Sequence, residues 1–154
     1  MKLKNIVLSI LVVLFLIQLI RIDQNNPKID MGKDFASKQS IPEEVRIVVK
    51  RSCYDCHSNE TSYPWYANVA PISWWIKGHV NDARKLINFS EWESYSNEEK
   101  ARKLMNSIAY IKPDQMPLSS YVSQHPEAKL TIKEKKHVID WMKEKAEKLD
   151  EKYK

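Results

Sequence analysis

The sequence predicts an all-α protein, on three observations. First, helix-start signals recur: Ser40-Ile41-Pro42-Glu43, Ser96-Asn97-Glu98-Glu99 and Thr131-Ile132-Lys133-Glu134 each set a hydroxyl side chain three positions ahead of a glutamate. In that arrangement the hydroxyl accepts from the amide of the third helical residue, and the carboxylate accepts from the amide of the cap. Second, apolar residues follow each start at helical spacing. Third, no run of β-branched residues alternates with polar ones at the period of a strand.

In chain order, the first element is an apolar run from Ile6 to Ile20, interrupted only by Ser9 and Gln18, with Lys2 and Lys4 ahead of it. Fifteen helical residues reach about 22 Å against a hydrocarbon core of about 30 Å, so the run is short for a span unless Ile22 extends it and Lys4 and Arg21 snorkel. No Ala, Gly or Ser occurs between Ile10 and Met31 to suit a signal peptidase. Residues 1–22 are therefore expected to form an uncleaved membrane helix, lysines inside and the rest of the chain outside the cytoplasmic membrane. The 154 residues carry a formal charge of +5. Without Lys2, Lys4 and Arg21 the remainder holds 22 basic and 20 acidic side chains, so basicity gives no reason to expect a nucleic-acid partner. Residues 23–39, with Asn25, Asn26, Pro27 and Gly32, lack a helical stripe and read as a polar linker. If flexible, it would reach roughly 20–25 Å. Residues 40–154 are enough for one small domain.

The first helix of that domain carries Val45, Val48, Val49 and Ser52 on one face and runs into Cys53-Tyr54-Asp55-Cys56-His57. These are the only two cysteines, and a C-x-x-C pair followed at once by histidine is the attachment pattern of a c-type haem. Each thiol can join one of the two vinyl groups on a haem edge, and His57 then lies where an imidazole nitrogen can take the iron. A thioredoxin-like dithiol would want βαβ context, and zinc would want more paired ligands than His79, His125 and His137, scattered downstream, supply. A zinc site, a dithiol switch and an inert pair stay open beside the haem reading.

Beyond an aromatic loop containing Tyr63, Pro64, Trp65 and Tyr66, Pro71 opens a helix with Ile72, Trp75, Ile76, Val80, Ala83, Leu86 and Ile87 expected on its buried side. Trp74 and Trp75 diverge by about 100°, so one of them is expected at the haem edge. The next helix should bury Leu104, Met105, Ile108 and Ala109, and end before Pro113. Lys112-Pro113-Asp114-Gln115-Met116-Pro117 is a stiff loop whose Met116 thioether suits iron. The last helix should bury Val138, Trp141, Met142 and Leu149. His79, His125 and His137 read as surface or core polar groups.

The order of a helix into C-x-x-C-H, further helices, a Met-Pro loop and a closing helix resembles cytochrome c. More closely, the chain is similar to the bacterial haem-binding domain family of cytochrome c-like proteins. The residues that carry the likeness are Cys53–Thr61, Tyr63-Pro64-Trp65-Tyr66, Ala70–Trp74, Leu86–Trp92, Met116-Pro117, Tyr121 and His125–Ala128. It departs at Ala83, where the family often has glycine before arginine, and at Ile87 between Leu86 and Asn88. The resemblance implies a cytochrome c-like fold around one haem c, bonded to Cys53 and Cys56. It implies His57 as proximal and Met116 as distal iron ligand, with Pro64, Trp74 and Tyr121 lining the cofactor. The function expected is single-electron transfer between redox partner proteins of the membrane or periplasm, by a carrier rather than an enzyme. The alternative is a haem-based sensor or peroxidase-like enzyme whose sixth ligand is displaced.

Overall fold

The computed structural model describes residues 2–38 and 40–153. Met1, Gln39 (the last residue of the expected linker) and Lys154 lie outside the described residues. Among those described, every regular element is helical: α1 Leu3–Ile17, α2 Glu43–Ser52, α3 Tyr54–His57, α4 Ile72–Leu86, α5 Asn97–Ile111, α6 Ser119–Val122 and α7 Ile132–Leu149, joined by loops and short 3-10 turns.

α1 is apolar all round and buries none of its side chains. It is shorter than the expected membrane helix over 1–22: no helix among the described residues is long and apolar enough to cross a membrane. It stops at Ile17, and the Gln18 side chain ties its end to the domain. Its amide nitrogen donates to Leu14 O and Ala70 O, and its Oε1 accepts from Ala70 N.

The stretch that follows is non-helical, as expected of a linker, yet it lies bonded along the domain. Gln24 Nε2 donates to Ala67 O at 3.1 Å, Asn26 Nδ2 to Thr61 O at 2.8 Å, and Asn59 Nδ2 to Lys28 O at 3.3 Å. Asp34, Phe35 and Ala36 are buried. The Phe35 ring sits in the core, 5.0 Å from Phe89, 5.3 Å from Trp92 and 5.6 Å from Trp141 between centroids.

α2 buries Val45, Val48, Val49 and Ser52, the face its spacing predicts. Its expected Ser40 cap does not form, because extended Pro42 is itself the cap and Ser40 falls outside the first turn. The other two capping boxes close reciprocally, Ser96 with Glu99 and Thr131 with Glu134. α5 and α7 pack on one another, with Leu104, Val138 and Met142 between them and the rest of the core. Ala109, expected inside, is exposed, and Ile111 is buried in its place. α2 lies against α7, and Arg51 Nη2 donates to Glu134 Oε1 at 2.9 Å across that junction. Along α4 the expected stripe divides. Val80, Ala83 and the following Ile87 are buried, while Ile72, Trp75 and Leu86 stay exposed on cleft walls.

Candidate functional site

α2 delivers Cys53 and breaks there. Its backbone leaves the helical region (φ −127°, ψ −34°), and α3 restarts one residue later with His57 N donating to Cys53 O at 2.9 Å. The break turns Tyr54 into the core, where its ring stacks on Phe89 and its hydroxyl donates to Asp34 Oδ1 while accepting from Ala36 N, both at 3.0 Å. The two thiols are free and half-buried. Burial pushes Cys53 up to about 12, and burial with the neighbouring Asp55 carboxylate pushes Cys56 up to about 11.

His57 is held by backbone carbonyls. Its Nδ1 lies 3.0 Å from Ala83 O and 3.2 Å from Ile87 O, the carbonyls at the end of α4. Both partners are acceptors, so Nδ1 carries the proton and Nε2 keeps its lone pair. The pair serves two needs at once: helix-end carbonyls find a donor, and the imidazole is oriented and made a better ligand by acceptors behind it. Desolvation holds the ring below its ordinary 6.5, with the carbonyl bonds opposing. A neutral imidazole is what a metal takes.

The loop after the motif is fastened to the segment around Asn88. Arg84 Nε donates to Ser58 O at 2.7 Å, and its Nη2 donates to Thr61 Oγ1 and Asn26 Oδ1 at 2.8 Å each. Asn59 N donates to Ser90 Oγ, and Asn88 Nδ2 donates to Asn59 Oδ1. The Cys53–Thr61 and Leu86–Trp92 blocks are thus hydrogen-bonded to each other.

Met116 closes the site from the far side of the chain. Gln115 N and Met116 N both donate to Tyr110 O, at 3.0 and 3.1 Å, and Asp114 turns the loop with φ 60°. Met116 and Pro117 join Cys53, His57 and Leu86 in lining two adjoining clefts, of about 340 and 330 Å³. The second also reaches Asp55, Cys56, His79 and Tyr121. Tyr121 donates to Asp55 Oδ2 at 2.6 Å, tying α6 to the residue between the cysteines. Pro64 lines a neighbouring groove of about 400 Å³ that also touches Cys56, Trp75 and Tyr121. Trp74 turns the other way, donating its indole N–H to Ile20 O, and Trp75 stands on the cleft side. His79 lies on the cleft wall with Nδ1 on Trp75 O, His125 pairs with Tyr66 and Glu127, and His137 with Glu44.

Two thiols, a histidine with its Nε2 free and a thioether converge on one largely apolar cleft. The sequence model of a family described as "Haem-binding domain" matches residues 12–144. The chain belongs to that family. No curated protein and no solved structure matches it. In this haem-binding domain the donors suit iron in a porphyrin, since imidazole and thioether are haem axial ligands. Zinc fits less well: among the described residues no three His, Cys, Asp or Glu side chains gather to hold an ion.

Sequence reasoning missed the parts that orient the motif. The carbonyls of Ala83 and Ile87 have no sequence signature. Asn88 does carry one, since a polar group inside the Leu86–Trp92 block invites a search for partners; Arg84, outside that block, does not.

Proposed function

We propose that this domain holds one haem c through thioether bonds to Cys53 and Cys56 and passes single electrons outside the cytoplasmic membrane. The observation that carries the reading is His57, whose Nδ1 is fixed on two carbonyls beside both thiols, with Met116 on the same cleft. When bound, haem iron supplies a one-electron couple. His57 Nε2 and the Met116 sulfur would be the residues that hold its iron. Asp55, held by Tyr121, fixes the turn between the cysteines, and the apolar walls keep water from the iron. With both donors engaged, no substrate site at the iron would be required, which suits a carrier rather than an enzyme. α1, headed by Lys2 and Lys4, attaches the domain to the membrane as an apolar insert, and redox proteins of that membrane or of the periplasm are the partners. Leu19 and Ile20 lengthen the apolar stretch beyond the helix.

A second reading has one observation behind it. His79 lies on the cleft shared by Cys56 and Met116, where a base would stand in a peroxidase-like enzyme or sensor with an open sixth position. Protein matured in a haem-loading host separates the readings. The carrier keeps its pigment through acid-acetone extraction, shows a methionine-to-iron charge-transfer band when ferric, and binds carbon monoxide slowly when ferrous. Met116→Ala loses the band, lowers the potential and opens the iron. Pigment extracted freely refutes covalent attachment; rapid carbon monoxide binding by the unaltered protein favours the His79 reading.

A further inference from the structure

We propose that the face formed by Trp65, Val69, Ile72 and Trp75 rests on a phospholipid surface, with α1 entering the bilayer beside it. The proposal deepens the membrane attachment read above and depends on it.

Three independent features converge on this face. These four side chains are all exposed, Trp65 to 79%. Tryptophan joins an apolar ring to a polar N–H, and it concentrates where lipid meets water. Next, the stretch from Thr61 to Asn81 contains no Asp or Glu, although such residues make up 20 of the 154. A surface laid on anionic headgroups is expected to lack carboxylates. Finally, the apolar helix leaves from this same place. The Gln18 side chain is bonded to both the N–H and the carbonyl of Ala70, Trp74 Nε1 donates to Ile20 O, and Gln24 Nε2 reaches Ala67 O and Asn68 Oδ1. Those bonds hold the root of α1 against the loop that carries Trp65 and Val69. A domain attached in this way does not swing on a tether: inserting α1 brings this face down on the membrane. Trp65, Ile72 and Trp75 also rim the groove that reaches Cys56, so its mouth then opens at the lipid.

The test uses the full haem-loaded chain in vesicles of phosphatidylcholine and phosphatidylglycerol carrying, in parallel samples, a phospholipid with a headgroup diazirine to report residues 65–75 and one with an acyl-chain diazirine to report α1. After irradiation, adducts are mapped by peptide mass spectrometry. The expected result is labelling of α1 and of residues 65–75, the latter several-fold above the peptide bearing Ile132, which is 91% exposed on α7. Trp65→Ser with Val69→Ser, both exposed, should lose most of the 65–75 adducts and keep those in α1, with circular dichroism and haem content checked to be unchanged. Labelling of α1 alone, or of 65–75 no more than of Ile132, overturns the proposal and leaves the membrane attachment standing. No labelling of α1 overturns both.

Discussion

Replacing Phe35 by alanine removes a ring that has no exposure and touches three other aromatic rings, all from one residue of the segment that reads as a linker. A buried Phe→Ala change costs about 3–5 kcal/mol, the lost transfer free energy and the cavity together. The aromatic contacts favour the upper half of that range, at roughly 0.5–1.5 kcal/mol per pair within the total. A domain of this size loses roughly 3–5 °C per kcal/mol, so the melting temperature should fall by about 12–25 °C. The assay is thermal unfolding followed by circular dichroism at 222 nm on haem-loaded protein, with Phe35→Leu, which keeps most of the bulk but loses the ring contacts, as an intermediate expected to cost less than Phe35→Ala. The effect should also reach the site, because Phe35 packs on Phe89, and Phe89 stacks on Tyr54 and lies edge-on to His57 at 6.4 Å. A melting temperature within about 3 °C of the parent would show that Phe35 is not in the core and that the segment is a free tether after all.

Tyr54→Phe leaves the buried Asp34 carboxylate and Ala36 N–H each short of a partner, and should cost about 1–3 kcal/mol in urea unfolding, with the midpoint lowered and the slope unchanged. Arg84→Ala breaks its bonds to Ser58, Thr61 and Asn26; a loss of about 2 kcal/mol and a lower haem-to-protein ratio by pyridine haemochrome absorbance are expected, with an unchanged ratio counting against its orienting role. Glu134→Ala opens a capping box and unpairs Arg51, for about 1–2 kcal/mol after discounting for exposure. The Thr131 amide bond and Arg51 hold the Glu134 carboxyl below its ordinary 4.5, so its contribution is full above that pH and disappears as pH falls through the lower folded value; the gap between parent and variant midpoints should narrow in acid.

What the sequence made legible was whatever is periodic or paired at short range. The faces of α2 and α7 and the closed boxes at Ser96 and Thr131 follow from spacing alone, because an amphipathic helix writes its buried side at 3.6 residues per turn. The C-x-x-C-H motif pointed to haem, and the match to a haem-binding family supports that much of the reading. Phe35 stayed hidden because a single aromatic residue among polar neighbours has no period, and its burial depends on Phe89, Trp92 and Trp141, far along the chain. Ser40 misled because its local pattern is good but the helix starts after Pro42. Trp74 and Trp75 could not be told apart without the path of residues 18–24, since the partner of the Trp74 indole is a carbonyl of that segment. The carbonyls that hold His57 are backbone groups, invisible to any residue pattern.

The run from Gln18 to Ala36 sets where this protein tolerates being shortened. A fragment starting at residue 40 would strip the lid from Phe89 and Trp92, deprive the Tyr54 hydroxyl of both its partners and release one of the three groups Arg84 grips. A cut made just after Ile17 would remove the greasy rod alone and spare all of these. Soluble material for spectroscopy should therefore begin at Gln18, and a protease acting between Asn26 and Phe35 would disable the protein rather than liberate it.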